Sequence, residues 1–281
     1  MNNKSVGIVG NGFVGGAVSN GLKDFCDVRI YDVDPERSTH RYNDVVFSEF
    51  VFVCLPTPMY DVEGGDCNLS IVEKFFEELP TICEGIFILK STVPIGTTRR
   101  LREKYPNLKI VHNPEFLTAA NANRDFVNAD RHVIGGNEEW TASLREFYEY
   151  CYPSIPIFTM QSEESECVKY FANCFLATKL MVFNEMKILT ESIPDVDYDT
   201  IMKGVISDRR IGKSHYNVPG PDGQYGFGGT CFPKDINALI HTMSNHDMNP
   251  MILNAVWEQN KNFRMQWDWA DFSSAVLNKG E

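Results

Sequence analysis

Short apolar runs alternate with amphipathic stretches over the first 160 residues. The runs Ser5–Val9, Asp27–Asp32, Phe50–Leu55, Ile86–Lys90, Lys109–His112, Arg131–Ile134 and Ile155–Phe158 are brief and rich in β-branched and aromatic residues, which predicts strands. Between them, Ser70–Leu79, Thr97–Lys104 and Glu138–Tyr150 carry apolar positions at three- and four-residue spacing, which predicts helices with one buried face. Alternation of this kind implies a parallel sheet with crossover helices.

The pattern changes after Met160. "SEESECVKYFANCFLATKLMVFNEMKILTESI" runs for some 30 residues without Pro or Gly. Ser162 or Ser165 is placed to cap it and Pro194 to stop it. As a helix it would be about 45 Å long, the length of an element that crosses between domains or forms an oligomer interface. Further helical stretches follow at Tyr198–Val205, Asp235–Met243 and Pro250–Phe263. The expected organisation is an α/β domain over residues 1–160 and an all-helical domain over 161–281. The acidic, glycine-containing "MYDVEGGDCN" (59–68) reads as a mobile loop.

Composition then narrows the class. The formal net charge of −12 argues against a surface that tracks nucleic-acid phosphates. No apolar run has the length of a membrane helix, and no charged start followed by an apolar stretch marks a signal peptide. The eight cysteines form no C-x-x-C pair and the histidines show no ligand spacing, so no metal is expected. A cytoplasmic enzyme with reduced thiols fits.

"VGIVGNGFVGGAV" sets Gly10, Gly12 and Gly15 as G-x-G-x-x-G. The motif alone is weak. Here it follows a predicted strand, opens an apolar helix, and precedes a second strand ending at Asp32, 17 residues past Gly15. That context predicts a Rossmann-like, doubly wound dinucleotide-binding fold. Asp32, with Asp34 close by, would accept from the ribose hydroxyls and repel a 2′-phosphate, which favours NAD over NADP.

Candidate chemistry lies further along. In "YGFGGTCFPKD", Cys231 stands between a glycine run, whose N–H groups would approach a reacting oxygen, and Lys234, a cation that would favour a thiolate. Asp235 would orient a water or the lysine. The plainer reading is a buried cysteine ahead of a helix with an acid in its first turn. Lys169 and Asn173 share a helix face and either line a cleft or belong to a solvated stripe. Thr92 and Glu115 follow predicted strands, at the carboxyl ends where open α/β sheets place ligands. Each is equally an ordinary loop or helix-start residue.

Taken together, "GIVGNGFVG", "VFVCLPTP", "STVPIGTT", "NPEFL", "VKYFANCFLATKLMVFNE", "DRRIG" and "YGFGGTCFPKD", in that order, resemble the nucleotide-sugar dehydrogenases and the UDP-glucose 6-dehydrogenase family in particular. The resemblance implies oxidation of a sugar CH₂OH to a carboxylate with NAD, in two hydride transfers. Cys231 matches the nucleophile, Lys169 and Asn173 the oxyanion-stabilising pair, and Asp235 the acid that assists proton transfer or water activation. Thr92 and Glu115 match the water-handling pair, with Glu115 as the base. Gly10, Gly12, Phe13, Val14, Gly15, Asp32, Pro56, Thr57, Thr92 and Lys234 match cofactor-side positions. Glu115, Phe116, Leu117, Lys169, Asn173, Arg210, Tyr225, Gly226 and Gly228 match substrate-side positions, Arg210 resembling an arginine that reaches the neighbouring subunit's site. A homodimer follows from the same resemblance and from the long helix.

The family pattern continues into a further α/β domain that grips the nucleotide, and the expectation is that this chain lacks it. A separate nucleotide-binding chain is then one expected partner, beside the nucleotide-sugar substrate. Two other readings stand: a single-hydride β-hydroxyacid dehydrogenase, which shares the Lys-x-x-x-Asn pair and needs no thiol, and a catalytically inactive, dimeric NAD-binding protein.

Overall fold

The computed structural model describes residues 4–277. The chain forms two compact units. The first comprises the residues up to Thr57 together with Asn68–Lys169; the second comprises Pro58–Cys67 and the chain from Tyr170 onward.

The first unit contains, in order, β1 (Ser5–Val9), α1 (Phe13–Leu22), β2 (Asp27–Tyr31), α2 (Tyr42–Val46), β3 (Phe50–Val53), α3 (Ser70–Glu77), β4 (Ile86–Leu89), α4 (Thr97–Lys104), β5 (Lys109–His112), α5 (Ala122–Val127), β6 (His132–Gly135), α6 (Glu138–Cys151) and β7 (Ile157–Met160). Among the described residues the strands form one seven-stranded sheet, ordered β2-β1-β3-β4-β5-β6-β7.

Strand β3 shows why the chain folds this way. All four of its side chains are buried. Phe50 and Phe52 face a core with Val6, Ile8, Leu144 and Phe147. Val51 and Val53 face the opposite core with Phe75, Phe76, Phe87 and Leu101. A strand covered on both faces needs this continuous apolar sequence. Phe50 stacks on Phe147 of α6 with ring centroids 4.8 Å apart. Truncating Phe147 to Ala would cost about 3–5 kcal/mol.

Strands β1 to β5 pair in parallel. The expectation of a wholly parallel sheet fails at β6, which meets β5 antiparallel through His112 and Gly135. Strand β7 then runs parallel to β6. The segment joining β5 to β6 holds only the short α5 and a turn of 3₁₀ helix. An antiparallel neighbour does not require a full crossover helix. Strand order reverses at β1, with β2 on one side and β3 on the other. The crevice beyond the carboxyl ends of β1 and β3 is thus the switch point at which doubly wound sheets bind ligands.

Helix α7 (Ser162–Glu191) is continuous over 30 residues. Neither expected serine caps it. The Ser162 hydroxyl accepts from Arg102, and Ser165 pairs with His112. Glu164 instead accepts from the Gln161 N–H at 2.8 Å, half of a capping box.

The second unit takes the remainder of α7 from Tyr170, then α8 (Tyr198–Val205), α9 (Phe232–Asn245) and α10 (Met251–Phe263). Residues 58–67 are part of it, and the segment expected as a loose loop, 59–68, is for the most part held there. Met59 is fully buried. Its N–H donates to the Ala275 carbonyl at 2.7 Å, and its carbonyl accepts from Leu277 at 2.9 Å. The indole N–H groups of Trp257 and Trp269 donate to the carbonyls of Glu63 and Val62. Backbone acceptors that would otherwise require water are satisfied by tryptophans. Among the described residues no helix is long and apolar enough to cross a membrane.

Candidate active site

In the first unit the chain leaves β1 and turns at Gly10, whose φ of 88° favours glycine. At Gly15 a Cβ would stand 1.9 Å from the Gly10 carbonyl oxygen, so that glycine serves close packing. Gly12 differs: among the described residues nothing lies within 4 Å of where its Cβ would be. Helix α1 then starts at Phe13 with no side-chain cap and no acid in its first turn. Phe13 is exposed, and Val14 packs against the core. Asp32 follows β2 directly. Its carboxylate accepts from the Asn11 N–H at 2.6 Å and from the Asp34 N–H at 3.0 Å. Open space at Gly12, a helix N-terminus without an acid and an oriented carboxylate beyond β2 fit a dinucleotide with free ribose hydroxyls.

The loops after β3 and β4 are tied together. The Thr57 hydroxyl donates to the Thr92 carbonyl at 2.7 Å, and Ser91 donates to the Leu55 carbonyl at 2.6 Å. Pro56 is exposed, Thr57 buried and Thr92 half-buried. Glu166, which the sequence reading passed over, fixes the far end of the Thr92 loop. Its carboxylate accepts from the Gly96 N–H at 2.6 Å, the Thr98 N–H at 2.8 Å and the Thr98 hydroxyl at 2.6 Å. It therefore caps α4 from a different helix. Burial raises the Glu166 pKa, and the hydrogen bonds from Thr98 and Gly96 oppose that rise.

Glu115 follows β5. One carboxylate oxygen accepts from the Phe116 N–H at 3.0 Å. The other lies 2.8 Å from the ammonium of Lys90, a residue at the end of β4 that is 3% exposed. Lys90 also donates to the Asn113 side-chain oxygen at 3.1 Å, which accepts from the Tyr148 hydroxyl at 2.7 Å as well. The Lys169 ammonium donates to the main-chain carbonyl of Glu115. Phe116 lies beneath two cations, Arg131 at 4.3 Å and Lys169 at 5.3 Å from the ring centre. Leu117 packs against the core. A cavity of about 330 Å³ is lined by the 114–118 segment and by residues that include Arg124, Arg131 and His132. Thr92, Glu115 and Lys169 are thus all held on loops or helix turns of the first unit.

In the second unit α9 begins three residues earlier than expected, at Phe232. Cys231 is its N-cap and half-buried, and Pro233 sits in the first turn, where a missing N–H does no harm. Asp235 is 1% exposed. One of its carboxylate oxygens accepts from the Asn173 amide at 2.6 Å and the other from the Lys234 ammonium. Burial opposes the Lys234 charge, but the Asp235 carboxylate, with Cys231 and Cys67 nearby, outweighs it and raises the lysine's pKa. This cluster joins Cys231, Lys234, Asp235 and Asn173.

The glycine run before Cys231 is held by side chains. The Gly226 N–H donates to Asn184 at 2.8 Å, the Phe227 N–H to Asn260 at 2.7 Å and the Gly229 N–H to Asp268 at 3.0 Å. Those N–H groups serve the fold, and are not aimed at a reacting oxygen as the sequence suggested. A Cβ at Gly228 would fall 2.2 Å from the Asp268 carboxylate and 2.5 Å from the Arg264 guanidinium. The Tyr225 hydroxyl donates to Glu191 at 2.5 Å. Arg210 stands apart from the cluster, 90% exposed and paired with its neighbour Asp208.

A glycine fingerprint at the switch point of a mostly parallel sheet, followed by a helical unit with a half-buried thiol near an ammonium–carboxylate pair, defines a dinucleotide-binding protein of the doubly wound class. Residues 36–152 match the NAD binding domain of the UDP-glucose/GDP-mannose dehydrogenase family, and residues 163–262 match its central domain. The chain belongs to this family, and NAD is its cofactor. It is 36% identical over 226 residues to the UDP-glucose 6-dehydrogenase of Rickettsia conorii, an alignment covering 78% of this chain and 50% of that protein. The chain thus spans about half the length of the curated relatives it matches. A UDP-glucose dehydrogenase structure from Pyrobaculum islandicum superimposes with a TM-score of 0.81 at 28% identity, covering 93% of this chain and 68% of that one. A 3-hydroxyisobutyrate dehydrogenase from Mycobacterium tuberculosis, at 16% identity and TM-score 0.73 with 95% of both chains covered, shares the fold alone.

Proposed function

We propose that the protein oxidises the primary alcohol of a nucleotide sugar, UDP-glucose to UDP-glucuronate, through covalent intermediates on Cys231. The observation that carries this reading is the thiol at the start of α9 with Lys234, Asp235 and Asn173 clustered in the same unit. A single-hydride enzyme has no use for such a thiol. Bound NAD supplies hydride acceptance, one molecule for each of the two oxidations. The first oxidation leaves an aldehyde. The Cys231 thiolate adds to its carbon, a C–S bond forms and the carbonyl oxygen takes a proton, giving a thiohemiacetal. The second oxidation removes that proton with the hydride and leaves a thioester. Water then adds while Glu115 takes its proton, the C–S bond breaks, and sulfur departs as thiolate.

Lys169 and Asn173 carry the N–H donors assigned to oxygen as negative charge builds on it. Asp235 is assigned to proton movement and to holding Asn173 and Lys234. Thr92 works with Glu115 on the water, and Arg131 and Phe116 suit the anionic, planar parts of the substrate. Phe171, Phe175, Val182, Met186 and Leu189 of α7 are exposed and apolar, which supports a homodimer that would present Arg210 to a second copy. We place the reaction in the cytoplasm, where free thiols persist.

The test is a count of NADH per UDP-glucose consumed. Two are expected, and Cys231→Ala should abolish glucuronate formation. A yield of one on a small hydroxy acid would favour the single-hydride reading that the mycobacterial fold likeness raises. Full four-electron oxidation by Cys231→Ala would remove the thiol from the mechanism.

A further inference from the structure

We propose that Lys90 is a positioning residue for the hydrolytic half of the reaction: its buried ammonium keeps the Glu115 carboxylate ionised and turned so that one oxygen can receive a proton from water. The inference rests on the assignment of Glu115 as the water-activating base.

Lys90 closes β4, and its side chain is 2% exposed. A buried ammonium is costly without an acceptor and a counter-charge. Asn113 supplies the acceptor and Glu115 the charge. Asn113 is itself anchored, because its amide donates to the Val133 carbonyl at 2.6 Å and its oxygen accepts from Tyr148. The ammonium is therefore fixed by the sheet. Glu115 is gripped at both carboxylate oxygens and, through Lys169, at its main-chain carbonyl. Among the described residues the oxygen facing Lys90 meets no hydrogen-bond donor beyond that ion contact. That oxygen is itself buried, so the other, held by the Phe116 N–H, is the one left to receive a proton from water.

Asp125 and Asp130 line the same cavity as Glu115, together with Arg124 and Arg131, and the titratable groups closer to the pair are neutral or cationic. Cys54 at the end of β3 is held as a thiol, because burial pushes its pKa to about 12. His112 of β5 and His132 of β6 are held neutral by burial. Tyr148 of α6 is raised by burial and remains a phenol. Lys169 of α7 touches the Glu115 carbonyl and not its carboxylate. Lys90 is thus the cation in contact with the carboxylate. Without it, a mostly buried carboxylate favours its protonated form, which accepts no proton.

The first measurement needs no substrate. Wild type, K90M and K90R are titrated by infrared difference spectroscopy, each against the same protein carrying E115Q, so that the difference isolates the protonated-carboxyl band of Glu115. In K90M the band should appear at a pH higher by about one to three units, and K90R should restore most of the wild-type behaviour. The same titration in K90M and wild type would overturn the inference. K90Q, neutral but still carrying N–H donors, replaces K90M if that variant does not fold, with the same two outcomes.

With UDP-glucose and NAD, K90M should keep the first rapid NADH release and slow the following steady phase by about 100-fold or more. Its acidic limb should move upward, which a loss of stability alone would not do. A slow E115Q beside an unimpaired K90M would sink this inference and leave the reading of Glu115 standing. An unimpaired E115Q would remove Glu115 as base, and the role of Lys90 with it.

Discussion

The amide of Asn173 donates to the carboxylate of Asp235 across 2.6 Å, with both residues buried. The other carboxylate oxygen is taken by Lys234. Replacing Asp235 by Ala would strand a largely buried ammonium, so the informative change is Asp235→Asn, which keeps the shape and removes the charge. Its kcat on UDP-glucose should fall by about 10²–10⁴-fold. Asn173→Ala should fall by about 10²–10³-fold, and the double variant by less than the product, because the two residues act as one network. Multiplied effects in steady-state assays would show them to be independent.

Asp32 sets cofactor choice. Asp32→Gly should weaken NAD binding by about 10- to 100-fold, the worth of hydrogen bonds to a charged group. NADP binding should improve relative to NAD, since a charge that repels the 2′-phosphate is gone. Calorimetric titration of both nucleotides reads this without turnover.

Glu166 is a stability residue for the Thr92 loop. Glu166→Ala leaves the Gly96 and Thr98 N–H groups and the Thr98 hydroxyl without their acceptor. The expected loss is about 2–4 kcal/mol by urea unfolding, drawn from a penalty of about 1–3 kcal/mol per stranded group with partial relaxation. Glu166→Gln, which keeps one acceptor oxygen, should recover part of it. An unchanged unfolding midpoint in Glu166→Ala would show that water replaces the cap without penalty.

His112 and His132 make the first unit sensitive to acid. Burial, with Lys90 adding, depresses both from the ordinary value of 6.5 to about 3. A folded pKa below the unfolded one gives a contribution present above pH 6.5 and lost as pH falls towards 3. Each histidine should steepen the loss by up to about 1.4 kcal/mol per pH unit within that window. His132→Phe keeps the stacking on Tyr148, whose ring lies 4.0 Å away. It should flatten the dependence of the unfolding midpoint on pH, and an equally steep dependence would place the acid sensitivity elsewhere.

The central strands β3 and β4 were legible because each is a buried apolar run with sharp ends, as "FVFV" at Phe50–Val53 illustrates. The long helix was legible because nothing in 30 residues interrupts it. The reversal at β6 was not, since a strand's direction is set by its connection and neighbours and leaves no trace in its own residues. The predicted start of α9 at Asp235 falls three residues late, because the first helical turn accepts Pro233. Cys231, Asp235, Lys169 and Asn173 were visible as a pattern. Their supports were not. Lys90 ends an apolar strand and reads as a surface residue, and Asn184 and Asn260 read as polar faces of helices. Each finds its partner 25 to 42 residues away. Residues 59–68 read as mobile from their acids and glycines, because the two tryptophans that bind carbonyls there lie some two hundred residues further on.

That last pairing bears on the order in which the molecule is made. Pro58–Cys67 leaves the ribosome some two hundred residues before the groups that hold it, Trp257, Trp269 and Ala275. The helical unit therefore cannot close before those later residues are made, and an excised 170–281 fragment would lack a piece of its own interior. A stop codon placed just ahead of Trp269 would untie a segment encoded some two hundred residues upstream.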